Sequence, residues 1–324
     1  MELVGADGVT GLGEAAPSVL QDESAAGVLE FYAAALDAGR LSFADVAGSM
    51  AELDAQPNLP VAAKCALNLA LIDGAAKREG RAVYDVLNLG FHEHQHVTSL
   101  SIGLDTPDII RKKVQAAEGY PVLKLKVGDM RDRENLAALR SVAPEKLVRV
   151  DANGGWKTRE AALRNLEWLA QDGHIQFVEQ PLPRHTHPPD LIWLKERSPL
   201  PLFADESCQT VLDIPLCAAG YHGVNVKLIK TGGVSMAFET LQAARRAGLK
   251  TMVGCMIETS LGISAAAQLA ELADFLDLDG NLLITNDPFL GVTAEKGVLS
   301  FAAAPVQTGL RVCARNIPVA PTVV

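Results

Sequence analysis

From about residue 97 onward, short β-rich runs alternate with helix-like stretches, and this alternation restricts the fold more than any other feature of the chain. The runs are VTSLSI (97–102), PVLKLKV (121–127), KLVRVDAN (146–153), IQFVEQPL (175–182), PLFADES (201–207), GVNVKLIK (223–230), TMVGCMIE (251–258) and DFLDLDG (274–280). Between them lie segments such as DIIRKKVQAAEG, TREAALRNLEWLAQDG and MAFETLQAARRAG, several closing on Gly or a basic residue as helix C-termini do. Strands joined by helical crossovers make a parallel sheet, and eight of them close a TIM-type barrel. The alternative, an open doubly wound sheet, lacks support because no G-x-G-x-x-G stands between a strand and a helix.

The flanks read differently. Residues 1–95 suggest an α+β unit: GADGVTGLGEAAP as turn, short strand and loop, then helical stretches around 24–39, 43–54 and 60–79. The barrel is expected over 96–286, and 287–324, with GVTAEKGVLSFAAAP, as turns and short strands returning to the first unit. At the junction stand His92, Glu93, His94, Gln95 and His96. No fixed helical or hairpin spacing supports metal ligation there, so a solvated linker is the reading.

Charge excludes several function classes. The balance of 29 basic against 39 acidic side chains gives −10, opposite to the basic surface that nucleic acids select, so no nucleic-acid partner is expected. No Lys or Arg occurs in the first 30 residues, so a signal-peptide n-region is missing, and no apolar run has the length of a membrane span. Five scattered cysteines without a C-x-x-C pair suit a reducing cytoplasm. Neither Ser99 nor Ser101 has an identifiable His partner for a hydrolase triad.

The chemistry concentrates at strand ends. Lys126, Asp151, Glu179, Asp205 and Lys227 are separated by 25, 28, 26 and 22 residues. Each interval is about one βα unit, which places all five on the C-terminal rim from which barrel enzymes draw their catalytic groups. Three converging carboxylates would repel one another unless a cation sits among them, and all-oxygen ligation suits a hard divalent ion, most simply Mg²⁺. The lysines on strands flanking the trio can face each other across the pocket. Partial burial near a metal is expected to lower a lysine pKa and make it a base near neutral pH.

KxK, DANGGW, VEQPL, ADES and VNVKLxKxGG, in this order and spacing, resemble the enolase superfamily, in particular its muconate-lactonizing subgroup. The resemblance covers nearly the whole chain. It implies an α/β fold, a modified TIM barrel (β/α)7β with an α+β capping domain. It implies Asp151, Glu179 and Asp205 as Mg²⁺ ligands, and Lys126 and Lys227 as bases on opposite faces of the substrate. A lysine base working with Mg²⁺ on an enediolate is a general property of that superfamily. Lys124 and Glu206 would support these groups, Lys124 also lining the substrate space, and Asn153 would help hold the metal or its water.

With a lysine on each face, a proton leaves from one side and returns to the other, which is racemisation or epimerisation. The eighth run adds Asp277 and Asp279 in a D-x-D that resembles the dipeptide epimerase pattern, in which two aspartates hold an N-terminal ammonium. The backbone from Cys255 through Met256 to Ile257 would line the pocket, and Glu258 would be structural. The expectation is a Mg²⁺-dependent epimerase inverting the α-carbon of a dipeptide's C-terminal residue, with alanyl-glutamate as one candidate. Within the same subgroup stand a cycloisomerase, an o-succinylbenzoate synthase and an N-acylamino acid racemase. A lid-less, non-catalytic barrel is the reading from another class. The first cap strand, mobile lid loop and second strand of the family are not recognised ahead of GLGEAAP, and a start placed downstream of the natural one would explain this. The sheet edge so left could be covered by a partner subunit, making a homo-oligomer an expectation.

Overall fold

A computed structural model describes residues 1–18, 21–36 and 38–315. The chain opens with a hairpin of β1 (Glu2–Val4) and β2 (Thr10–Leu12), followed by helices α1 (Ala25–Ala35), α2 (Val46–Asp54), α3 (Val61–Arg78) and the short α4 (Val83–Val86). Small residues let this layer close up. A Cβ at Gly11 or Gly13 would lie about 2 Å from the carbonyl oxygens of Ala70 or Ala66, so only glycine lets β2 lie directly on α3.

Eight parallel strands follow in sequential order: β3 (Leu100–Ile102), β4 (Val122–Lys126), β5 (Leu147–Asp151), β6 (Ile175–Glu179), β7 (Leu202–Ala204), β8 (Gly223–Lys227), β9 (Lys250–Gly254) and β10 (Phe275–Asp277). A parallel bridge between Thr98 and Leu276 joins the two ends, so the sheet closes into a barrel. The helices covering it are α5 (Pro107–Ala116), α6 (Asp132–Val142), α7 (Arg159–Ala170), α8 (Pro188–Arg197), α9 (Ile214–Gly220), α10 (Leu228–Thr231), α11 (Val234–Arg246) and α12 (Ser260–Ala267). The expected α/β modified barrel with a capping unit is therefore the fold.

Local chemistry explains these helices. In α11, Val234, Ala237, Leu241 and Ala244 recur at helical spacing and are buried, while Arg245 and Arg246 sit in the last turn against the negative end of the dipole. Each buried Val or Leu contributes about 1.5–3 kcal/mol. Thr158 caps α7 by accepting from the Ala161 amide, and proline at the first turn opens α5 and α8.

The C-terminal segment serves both layers. β12 (Thr293–Glu295) and β13 (Val298–Ser300) form a hairpin held to the start of β3 by Leu299 N donating to His96 O and Thr98 N to Gly297 O. β11 (Phe289–Leu290) pairs with β14 (Cys313–Ala314), and between them Leu310 N donates to the buried Asp73 of α3. Residues 316–324 of the expected C-terminal return lie outside the described residues. At the junction His92, His94 and Gln95 are exposed, as a solvated linker requires, and Glu93 and His96 are half-buried. His92 Nδ1 and His96 Nε2 both lie 2.8 Å from Glu271 Oε1, so the exposed His92 and the half-buried His96 share one carboxylate.

Candidate active site

Register builds the site. Lys126 pairs with Asp151 and Asp151 with Glu179 as lateral neighbours, while Asp205 follows the last residue of β7 and Lys227 ends β8. All five line up on the C-terminal rim. Among the described residues, Asp151, Glu179 and Asp205 offer carboxylate oxygens within 4.8 Å of one another, and all three are buried. Oε2 of Glu179 faces the Lys124 ammonium at 2.8 Å and has no other polar partner among the described residues. Buried, hard, all-oxygen donors with spare acceptor capacity fit a divalent cation of the Mg²⁺ kind.

Cations interleave with these acids. Lys126 Nζ lies 2.6 Å from Asp151 Oδ2 and donates to Asn153 Oδ1 at 2.9 Å; Lys227 Nζ lies 2.8 Å from Asp205 Oδ2. Lys124, fully buried, reaches three acids at once: Asp277 at 2.7 Å, Glu179 at 2.8 Å and Asp151 at 3.1 Å. Asn153 also donates to Glu206 Oε1.

The titration behaviour follows from burial working against charge. Burial and the neighbouring Asp151 push Glu179 up to about 8 despite Lys124. Burial also opposes ionisation of Asp205, but Lys227 and Lys230 outweigh it and hold this acid well below the carboxylate range. Burial works to lower the Lys227 pKa, but the charges of Asp205 and Glu179 and the hydrogen bond to Asp205 together outweigh it, and among these carboxylates the ammonium stands above its ordinary value.

The D-x-D pair sits on the seam between β10 and β3. Asp277 accepts from Ser99 Oγ at 2.7 Å and from Lys124, and Asp279 Oδ2 accepts the Ser101 amide at 2.6 Å. Burial is opposed more strongly by Lys124 and Ser99 at Asp277, which falls to about 2, whereas burial and the charge of Asp277 raise Asp279 to about 6. Both aspartates line a cavity of about 1120 Å³ together with Lys124, Lys126 and Lys227. Cys255, Met256 and Ile257 line the same space, with Met256 Sδ 3.9 Å from Lys227 Nζ. Cys208 is buried. Glu258 accepts the Met256 amide at 2.8 Å and is pushed up to about 7 by burial and by Glu14. Glu14 anchors the N-terminal layer on the barrel by accepting from Thr259 and the Gly262 amide at the start of α12.

Several supporting groups were not assigned from sequence. Lys230 donates to Asp205 Oδ1 at 2.7 Å and to Asn225 O at 2.8 Å, and Asn225 donates to Glu179 Oε1 at 2.8 Å. Gln180, buried with φ 38°, accepts the Asp205 and Ser207 amides and so shapes the loop carrying Asp205. Asn225 lies two residues before Lys227 on the same strand face, a period-two signal that could have found it. Gly254 faces it because a Cβ there would come within 2.4 Å of Asn225 Oδ1.

An eight-stranded parallel barrel whose rim carries a buried carboxylate trio between two lysines defines a class, the α/β-barrel enzymes that can hold a hard cation beside a substrate. Comparison with known proteins sharpens this. Residues 110–287 match the family described as enolase C-terminal domain-like. The chain is 61% identical to an L-Ala-D/L-amino acid epimerase of Pedosphaera parvula over 97% of its own length and 90% of that protein. Its fold is similar to that of a substrate-liganded L-Ala-D/L-Glu epimerase from Bacillus subtilis, with TM-score 0.89, 27% identity, and 98% and 90% of the two chains covered. It is also similar to a dipeptide epimerase from Cytophaga hutchinsonii complexed with Mg and the dipeptide D-Ala-L-Val, with TM-score 0.88, 27% identity, and 97% and 88% covered. The chain belongs to the enolase superfamily, and its enzyme class is isomerase, of the racemase and epimerase type. No helix among the described residues is long and apolar enough to cross a membrane.

Proposed function

We propose that this chain is a Mg²⁺-dependent dipeptide epimerase that inverts the α-carbon of the C-terminal residue by moving a proton between Lys126 and Lys227. The observation that carries the reading is angular. Lys126 on β4 and Lys227 on β8 stand four strands apart in an eight-stranded barrel, on opposite sides of the mouth, with the three carboxylates on the strands between them. The Mg-bound dipeptide complex of the C. hutchinsonii relative supports the same choice of metal and substrate class.

Asp151, Glu179 and Asp205 would hold the cation. When bound, it would withdraw charge from the substrate's carboxylate, acidify the adjacent α-proton, and compete with Lys126 and Lys227 for the carboxylates they contact. One lysine, as the free amine at Nζ, takes the α-proton from its face, and the other, as ammonium, returns one from the opposite face. Asp151 and Asn153 aim Lys126, and Asp205 and Met256 aim Lys227. The substrate's N-terminal ammonium would lie at Asp279 and Asp277. Asp277 ends β10 and Asp279 follows two residues on, four strands from the Glu179 strand, so a dipeptide would span the mouth with its α-carbon between the lysines. Two carboxylates there would repel a dianionic substrate, which favours a dipeptide over a succinylbenzoate precursor or a muconate.

The test is NMR in D₂O with Mg²⁺ and a small dipeptide library, following the C-terminal residue's α-proton. Epimerisation with deuterium wash-in is expected, and Lys126→Ala and Lys227→Ala should each lower it by about 10²–10⁴-fold, the scale of a positioned acid or base. No exchange with any dipeptide, in folded protein that binds Mg²⁺, overturns the assignment. Normal turnover in either variant overturns the two-base mechanism.

A further inference from the structure

Beneath the rim the barrel is plugged by Phe177, Phe203 and Met252, with Phe275 packed against them. The charged side chain of Arg149 enters this layer from β5, two residues below Asp151. It is 5% exposed, and its guanidinium stacks over Phe275 at 5.0 Å and Phe177 at 5.7 Å. Its hydrogen bonds go to neutral groups: Nε to Gln176 Oε1 at 3.1 Å, and Nη1 to Leu276 O at 2.5 Å and Ser99 Oγ at 3.4 Å. A buried guanidinium without a carboxylate in contact is costly by several kcal/mol, and an apolar side chain would fill this aromatic layer more favourably. The charge therefore calls for a purpose above it.

Two of its three partners belong to the seam that carries the D-x-D. Leu276 immediately precedes Asp277, and Arg149 fixes its carbonyl. Ser99 accepts from Arg149, so its own O–H is free to point the other way, and it donates to Asp277 Oδ1 at 2.7 Å. The relay runs in one direction, from guanidinium through hydroxyl to carboxylate. We propose that Arg149 is a positioning residue for substrate recognition, orienting Asp277 through Ser99 and Leu276 so that the D-x-D receives a substrate ammonium. The inference rests on the dipeptide reading above. It adds a residue that touches no substrate atom and acts on one end of the substrate only.

The experiment compares equilibrium binding of L-Ala-L-Ala and N-propionyl-L-alanine, which differ only in the ammonium, in Mg²⁺-containing buffer. Wild-type protein should bind the dipeptide more tightly than the propionyl compound. Arg149→Met should weaken dipeptide binding about tenfold, the loss of one charge-assisted interaction, while the propionyl compound changes by no more than about twofold. Arg149→Lys should recover part of the loss. Ser99→Ala, which keeps the guanidinium and removes the relay, should lower the preference in the same direction and covers the case in which Arg149→Met does not fold. Equal weakening of both ligands in a folded variant marks a merely structural arginine and overturns the proposal, as does an unchanged preference in Ser99→Ala. A wild-type protein that binds both compounds equally removes the ammonium reading itself, and the inference with it. If wild type prefers the dipeptide and both variants keep that preference, the D-x-D reading stands and Arg149 alone is refuted.

Discussion

Lys124→Met removes a cation that touches three buried acids. Its Nζ lies 2.7–3.1 Å from Asp277, Glu179 and Asp151, and all four side chains are buried. Removing one partner of a buried ion pair costs about 3–5 kcal/mol, because the group left behind is an uncompensated charge. At about 2.1 cal/mol/K per residue, the 324 residues have an unfolding entropy of about 0.7 kcal/mol/K, so the melting temperature should fall by about 4–7 °C. Part of the cost can be escaped by protonation. Without Lys124, Asp277 and Asp151, which it helps hold below the ordinary value, move upward, the folded variant binds protons that the folded parent has lost, and its deficit relative to the parent grows as pH rises through the carboxylate range. A cation bound only by the folded state should offset the deficit, so millimolar Mg²⁺ should raise the variant's melting temperature more than the parent's. Calorimetry or thermal fluorescence in EDTA and in Mg²⁺, at two pH values, measures all of this. A variant melting within about 1 °C of the parent in EDTA near neutral pH would show that Lys124 does not balance the carboxylates.

Other expectations follow from single groups. Glu258, raised from 4.5 to about 7 by burial and by Glu14, keeps its proton in the folded state over a window where the unfolded chain has lost it. Stability should therefore fall as pH rises from about 4.5 to about 7, by about 3 kcal/mol in total, and level off above. Glu258→Gln should remove that slope; identical melting profiles against pH for variant and parent would contradict the buried neutral acid. Asp279→Asn should raise KM for dipeptides with a smaller effect on kcat, and steady-state kinetics showing the loss in kcat alone would move Asp279 away from substrate binding. Asp73 accepts the Leu12 amide at 2.8 Å, the Leu310 amide at 2.8 Å and Lys77 at 2.6 Å, tying β2 and the C-terminal segment to α3. Asp73→Ala should cost about 2–4 kcal/mol in denaturant unfolding, since two buried amides lose their acceptor; a change below about 0.5 kcal/mol would mean these contacts are replaceable.

The sequence by itself determined the barrel, its rim and the chemical character of the trio. A βα barrel repeats one unit of nearly constant length, so charges spaced by 22–28 residues at strand ends must share a rim. Alternation along a strand likewise assigns Lys124 and Lys126, or Asp277 and Asp279, to a common face. What periodicity cannot supply is which side chains meet across the barrel. Lys124 reaches Asp277 over 153 residues of sequence, and Arg149 reaches Leu276 over 127, because the Thr98–Leu276 bridge brings the first and last strands together. Only that closure decides that Lys124 balances acids from three strands, and only the packing of β6, β7 and β8 sets Lys230 and Asn225 against the carboxylates of Asp205 and Glu179. Such outcomes depend on distances of a few ångströms between buried charges, where burial and Coulomb attraction oppose each other, and the fold sets those distances.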